Sequence, residues 1–271
     1  MPELPEVETI KNEITPHLLG QRITDVNLLW EGIARHISLE ELCSNAIGKV
    51  INSISRRGKY LILKLDNNGK FLIFHLKMSG SLLLRPASAE IPKYTRAIIQ
   101  LDNGTKIFFR DPRKFGRIWL VDKSEEITGE LGPEPLENSF TPECLAQILA
   151  KRHGPIKALL TDQTLIAGIG NMYADEALFA AGIHPLRAGS SLTENEIKRL
   201  HRAIQQVLEA GIYHKGASIV NYYRPDGSEG TAHNEFKVAH QRGKPCPVCG
   251  GPVERILVRG RGTYFCPKCQ K

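Results

Sequence analysis

Apolar residues recur at helical spacing at the start of the chain. Val7, Ile10, Ile14 and Leu18 fall on one face, and Gly20 sits where such a helix would stop. The pattern predicts an amphipathic helix over residues 5–19, and Glu3, Glu6 and Glu8 suit the positive end of its dipole. From about residue 50 to 121 the period shortens to that of strands. Residues 60–65 and 70–76 flank Asp66-Asn67-Asn68-Gly69, and residues 97–101 and 106–109 flank Asp102-Asn103-Gly104-Thr105. Both turns are made of residues that tolerate positive φ, so both predict hairpins. Residues 116–121 add a further strand, and the stretch reads as a β-sandwich or barrel. Residues 122–142 are acidic and rich in Gly and Pro, which predicts an interdomain linker. Helical patterns follow at 142–151, 155–162, 173–182 and 193–211, the last opened by a Thr193/Glu196 capping box. Residues 216–234, rich in Gly, Ser and Asp, read as a mobile loop.

The length of 271 residues suits one large or two small domains, and 41% hydrophobic with 24% charged residues is an ordinary globular mix. No apolar run approaches the roughly 18 residues of a membrane span. The acidic start, Met1 to Glu6, has neither the basic nor the apolar region of a secretory signal, so a cytoplasmic location is expected. The net charge of +7 is unevenly spread. Residues 1–48 carry −5, 49–117 carry +11, 118–236 carry −6 and 237–271 carry +7. Two basic blocks separated by acidic sequence are either a generally basic surface or two halves of a polyanion-binding face.

Of six cysteines, Cys43 and Cys144 stand alone and read as small buried apolar residues. The others form Cys246-Pro-Val-Cys249 and, after sixteen intervening residues, Cys266-Pro-Lys-Cys269. This fits the spacing of a zinc site, and four thiolates would leave no open position, making the metal structural. Two disulfides are the alternative, disfavoured in a reducing compartment. Residues 252–265 then form a hairpin with Arg259-Gly260-Arg261-Gly262 near its tip, a shape common in nucleic-acid modules.

Thr164 to Asn171 contains Gly168-x-Gly170, which superficially resembles a dinucleotide fingerprint. No strand precedes it and Tyr173 occupies the third glycine position. A helix–turn–helix whose second helix offers backbone N–H groups to a phosphate fits better, with a plain tight turn as the alternative.

Several stretches carry a closer likeness: Pro2-Glu3-Leu4-Pro5-Glu6-Val7-Glu8-Thr9, Arg57-Gly58-Lys59-Tyr60, His75-Leu76-Lys77-Met78-Ser79-Gly80, Asp111-Pro112-Arg113-Lys114-Phe115-Gly116, Gly170-Asn171-Met172-Tyr173-Ala174 and Gly260-Arg261-Gly262-Thr263. Together with the cysteine spacing, and running essentially end to end, they resemble the formamidopyrimidine-DNA glycosylase family, in its purine-lesion branch. The resemblance implies an α+β, multidomain chain. Its parts would be an N-terminal catalytic β-sandwich with flanking helices over 1–131, a helix–two-turn–helix DNA-binding domain with a lid loop over 132–236, and a zinc-finger β-hairpin over 237–271. It implies a monomeric, bacterial, cytoplasmic base-excision-repair enzyme, nucleoid-associated when bound. That enzyme would remove oxidised purines from damaged double-stranded DNA and nick the strand, with one structural Zn²⁺ and no membrane partner. An endonuclease-VIII-like enzyme for oxidised pyrimidines, or a non-catalytic zinc-ribbon binder of damaged DNA, are the alternatives.

On the residues alone Pro2 reads as a helix-start proline. The resemblance instead makes it the nucleophile, through the secondary amine freed when Met1 is removed, with Glu3 transferring protons to the sugar. Lys59 matches the proton donor of β-elimination and Arg261 the residue of δ-elimination. Met78, Arg113 and Phe115 match residues that fill the gap left by an extruded nucleotide, and Asn171 matches a backbone contact. Two positions depart from the family pattern. Tyr94 stands where members often carry a DNA-contacting His, and His153 where many carry Lys; both are carried as DNA contacts.

Overall fold

The computed structural model describes residues 1–67, 69–219 and 221–271, so Asn68 of the first turn and Val220 of the loop lie outside the described residues. The chain divides into two compact units, Met1–Glu130 with His214–His233, and Leu131–Tyr213 with Asn234–Lys271.

The first unit is a β-sandwich with helices at its sides. It runs α1 (Leu4–Leu18), β1 (Ile23–Leu28), α2 (Leu39–Ala46), β2 (Ile51–Arg57), β3 (Tyr60–Leu65), β4 (Phe71–His75), β5 (Ser81–Pro86), β6 (Thr95–Leu101), β7 (Thr105–Arg110), β8 (Arg117–Val121) and the single turn α3 (Glu125–Thr128). Two four-stranded antiparallel sheets form, in the orders β1-β6-β7-β5 and β2-β3-β4-β8. Alternate residues face inward, as period two requires. Leu61, Leu63, Leu72 and Phe74 from one sheet meet Ala97, Ile99, Ile107 and Phe109 from the other in one buried cluster. The rings of Phe74 and Phe109 lie 6.1 Å apart. Helix α1 adds Val7, Ile10, Ile14 and Leu18, the stripe its periodicity predicts.

Both hairpins form where the turn chemistry placed them. Strand β1 was not legible from alternation, because its register shifts between Ile23 and Asp25 and breaks period two. Helix α2 had a signal, since Ser38 and Glu41 close a capping box.

The second unit is helical, with a terminal hairpin. It contains α4 (Pro142–Leu149), α5 (Ile156–Leu160), α6 (Asn171–Ala181), α7 (Glu194–Tyr213), β9 (Glu254–Val258) and β10 (Arg261–Phe265). Helix α6 is buried on nearly all sides, so an amphipathic stripe could not define it. The Thr193/Glu196 box is present, with Thr193 N donating to Glu196 Oε2 at 2.8 Å.

Two sequence expectations change. The predicted linker over 122–142 becomes part of the helical unit from Leu131 onward. A Cβ on Gly132 would lie 2.4 Å from the Leu165 backbone, so this glycine serves close packing rather than slack. The predicted mobile loop is anchored. His214–His233 groups with the sandwich unit, Ala217 bridges Thr231, and Leu84 N donates to Pro225 O at 2.9 Å. Among the described residues no helix is long and apolar enough to cross a membrane.

Candidate DNA-repair site

In the first unit the chain start is sealed. Met1 is exposed, whereas Pro2 and Glu3 are buried. Glu3 is the N-cap of α1, and its N–H donates to Glu6 Oε2 at 2.7 Å. The other oxygen of Glu6 accepts from Ala217 N at 2.8 Å, so one fully buried carboxylate ties the chain start to the 214–233 segment. Gly216, at φ +79°, passes so close that a Cβ would stand 2.8 Å from Glu6 Cγ. The sequence marked Glu6 only as a carboxylate suited to the dipole of the first helix and as part of the opening motif.

Lys59 follows Gly58 in the β2–β3 turn and is 5% exposed. Arg56 holds this turn to α1: its Nε donates to Glu8 Oε2 at 2.7 Å and its Nη1 to Gly58 O at 3.0 Å. Burial raises the Glu8 pKa, but the Lys11 and Arg56 hydrogen bonds outweigh it and hold the carboxyl below its usual range. His75, a residue of the quoted motif with no role assigned from sequence, lies within reach of the Lys59 charge. Burial, with the charges of Lys77 and Lys59, lowers its pKa to about 3. Its Nδ1 accepts from Lys77 N at 2.9 Å, and the Tyr60 ring meets it edge-on at 4.6 Å. His75 is therefore a neutral imidazole that aligns the turn leading to Met78.

Two loops at the end of the sandwich carry the three gap-filling candidates. Asp111, fully buried, accepts from Ser79 Oγ, from Gly116 N at 2.7 Å and from Arg113 N at 3.2 Å. One carboxylate thus fastens the Met78 loop to the Arg113–Phe115 loop. Met78 and Phe115 are each 43% exposed, and the Arg113 guanidinium carbon lies 4.7 Å over the Phe115 ring. Lys77 (φ +53°) and Lys114 (φ +61°), neighbours of Met78 and Phe115, adopt the left-handed conformation that non-glycine residues avoid. Strained backbone that presents apolar side chains to solvent is suited to an external partner. Tyr94, also left-handed at φ +70°, is 40% exposed but stacks on Arg110.

In the second unit Asn171 is the first residue of α6, and its Nδ2 donates to Gly262 O at 2.7 Å. This bond places Asn171 beside exposed Arg261 at the start of β10. Gln163 shapes the preceding turn, donating to Ile169 O at 2.7 Å and accepting from Gly168 N at 3.0 Å. Buried Lys157 donates to Asn171 O at 2.6 Å and pairs with Asp175. A cavity of about 320 Å³ opens beside this point, lined by Lys157, Thr161, Gln163, Arg259 and Arg261 among others. Its basic lining and the α6 N-terminus suit a phosphate. Arg259 was missed as a site residue, although the quoted hairpin tip contained it. His153 is exposed, and its Nδ1 lies 3.0 Å from Ser190 Oγ.

The four cysteines fit one metal. All four Sγ atoms lie within 4.8 Å of one another. Cys246 and Cys269 are 3.8 Å apart and Cys249 and Cys266 3.5 Å. A tetrahedral zinc with Zn–S of about 2.3 Å needs sulfurs roughly 3.8 Å apart, whereas a disulfide needs about 2.05 Å. No two of the six cysteines are joined by a disulfide, which removes that alternative. Val238 and Val253 pack on Cys246 and Cys266 as a small core. Glu176 of α6 holds that core, accepting from the N–H groups of Lys237, Val238 and Ala239 at 2.8–3.0 Å.

Comparison with known proteins agrees along the chain. Residues 1–118 match the formamidopyrimidine-DNA glycosylase N-terminal domain, 131–222 the H2TH domain of the same enzymes, and 243–271 a zinc finger found in FPG and IleRS. A curated relative, the formamidopyrimidine-DNA glycosylase of Chloroflexus aurantiacus, is 45% identical over 273 residues, covering 100% of this chain and 98% of its own. The crystal structure of the MutM (Fpg) protein from Thermus thermophilus superposes with a TM-score of 0.89 at 41% identity, covering 99% of this chain and 98% of the other. A mutant FPG of Lactococcus lactis in complex with a Fapy-dG containing DNA gives a TM-score of 0.93 at 36% identity, with both chains fully covered.

Proposed function

The chain belongs to the formamidopyrimidine-DNA glycosylase family, and from that premise we propose that it excises oxidised purines, 8-oxoguanine and formamidopyrimidines included, and then nicks the strand. The observation that carries the reading is the buried Pro2-Glu3 pair, one peptide bond from the chain start and fixed by Glu6. Removal of Met1 leaves Pro2 with a secondary amine, and terminal amines titrate near 8, so a useful fraction is nucleophilic at neutral pH.

The Pro2 nitrogen forms a bond to the sugar C1′, the C1′–base bond breaks with its electrons leaving on the base, and the proton of the amine passes to the departing base. Glu3 supplies the proton that opens the sugar ring, which leaves an iminium ion on Pro2. The iminium acidifies the C2′–H. Loss of that proton expels the 3′ phosphate, with Lys59 as proton donor, and a second elimination expels the 5′ phosphate, with Arg261 holding its oxygens. Water then releases the sugar fragment from Pro2.

Reaching C1′ requires extruding the nucleotide, at a cost of a few kcal/mol. Met78, Phe115 and Arg113 fill the gap, the apolar pair as a wedge and Arg113 against the orphaned base. Asn171, with Tyr94 and His153 as lesser contacts, holds the backbone, and the 216–234 segment covers the extruded base. The partner is damaged double-stranded DNA, the chain acts as a monomer, and one structural zinc closes the four-cysteine knuckle.

Excision on duplexes with 8-oxoguanine, formamidopyrimidine or thymine glycol tests the reading. It expects the two purine lesions to be released faster, each with a strand nick. Faster release of thymine glycol would move the chain to the pyrimidine branch. Tight lesion binding with no cleavage would make it a binder only.

A further inference from the structure

Residues 221–225 run along the open edge of β5. Ser81 Oγ donates to Asn221 O at 3.2 Å, and Leu84 N donates to Pro225 O at 2.9 Å. On such a path successive side chains go to opposite faces. Tyr222 turns inward, 5% exposed, into the core cluster of the sandwich, where its hydroxyl lies 3.2 Å from Lys215 O and 3.4 Å from Glu6 O. Tyr223 turns outward and packs on Leu83, Ile98 and Phe108, on the opposite face of the sheet. The guanidinium carbon of Arg110, the last residue of β7, lies 5.3 Å from the Tyr223 ring centroid and 5.6 Å from that of Tyr94.

Arg110 is therefore clasped between two aromatic rings. Its Nη1 is buried and has no hydrogen-bond partner among the described residues. A guanidinium is the cation best suited to that setting, because it is weakly hydrated and stacks flat on rings. One of the rings belongs to Tyr94, a bulky residue held at φ +70°. The two tyrosines couple both ends of this arrangement: fixing Tyr223 fixes the register of Tyr222, and with it the Gly216–Ala217 turn pressed on Glu6.

We propose that Arg110 is a positioning residue for base excision: through its stack with Tyr94 and Tyr223 it holds the 216–234 segment at Tyr222 and Tyr223, and with them the Gly216–Ala217 turn over Glu6. Tyr94 then serves as one wall of the clasp, beyond its place as a DNA contact. The inference rests on the proposed role of this segment as the cover of the extruded base. That role gives it a selective signature, since an abasic site has no base to cover.

The test uses the full zinc-bound chain on two duplexes, one with 8-oxoguanine and one with a preformed abasic site. Arg110→Met should slow single-turnover excision about five- to thirtyfold while abasic nicking stays within about threefold of wild type. Tyr223→Ser should slow excision in the same selective way, and the double variant should be no slower than the slower single variant, because the Arg110–Tyr223 stack is common to both. Tyr223→Phe keeps the ring and should excise within about twofold of wild type. Wild-type excision by Arg110→Met, equal loss on both duplexes, or multiplying effects in the double variant would each overturn the proposal. A wild-type chain inactive on both duplexes would instead sink the glycosylase reading, and this inference with it.

Discussion

Replacing Asp111 by Ala should disable nucleotide extrusion without unfolding the sandwich. The carboxylate is fully buried and satisfies three donors, Ser79 Oγ, Arg113 N and Gly116 N. Ser79 can turn its hydroxyl to another acceptor and still receive Arg113 N, at 3.4 Å, but the buried Gly116 N–H cannot turn elsewhere. A buried donor left unsatisfied costs about 1–3 kcal/mol, so the joined loop arrangement should lose that amount. At about 1.4 kcal/mol per factor of ten, a mid-range loss of about 2 kcal/mol makes the paired Met78/Phe115 presentation some thirtyfold less populated. The sheets keep their own ladder and core, so the loss stays local. The assay is 2-aminopurine fluorescence opposite 8-oxoguanine, which brightens as the wedge unstacks it, read beside single-turnover excision. Both should slow about ten- to hundredfold. Wild-type unstacking by Asp111→Ala, or a loss of excision with unstacking intact, would refute the claim that this carboxylate assembles the wedge.

Three further outcomes are expected. Below pH 6.5 the neutral, buried His75 makes the sandwich unit less stable, because a depressed folded-state pKa gives stability that is present above 6.5 and lost as pH falls toward about 3; urea titrations followed by Trp119 fluorescence should show the wild type losing about 1.4 kcal/mol per pH unit more than His75→Phe in that window. Glu176→Gln should speed amide exchange at Val238 and Ala239 at least about tenfold by leaving one or more buried donors unpaired, and unchanged exchange would deny that α6 anchors the zinc core. Cys249→Ser should lower zinc content and DNA affinity together, since the hairpin has only a small core of its own, and normal binding to damaged DNA would remove the tail from the DNA-holding surface.

What the sequence made legible follows from how local each signal was. Turn residues and period-two patterning located the hairpins, since the Asp102–Thr105 turn needs only its own chemistry. The zinc knuckle was equally plain, because spacing alone decides whether four thiolates can converge. By contrast, Glu6 and Asp111 act across long stretches of chain, Glu6 on Ala217 and Asp111 on Ser79. Nothing in their neighbourhood announces a partner so far away. The composition of 216–234 suggested mobility because it is rich in Gly, Ser and Asp, yet Arg224 pairs with Glu13 at 2.7 Å and Tyr222 is buried. A few anchoring residues outweighed the average. Tyr94 stood out in sequence only as a departure, and its stacking on Arg110 required the β6–β7 register to become visible.

The central claim is that the Pro2 amine attacks the sugar. Borohydride reduction of the chain mixed with 8-oxoguanine duplex, followed by peptide mapping of the trapped complex, tests it most directly. The account predicts one adduct, on the N-terminal nitrogen of Pro2, and neither adduct nor nick when an extra residue is left on the N-terminus. An adduct mapped to Lys59 or another lysine, or normal nicking by the extended chain, would contradict it.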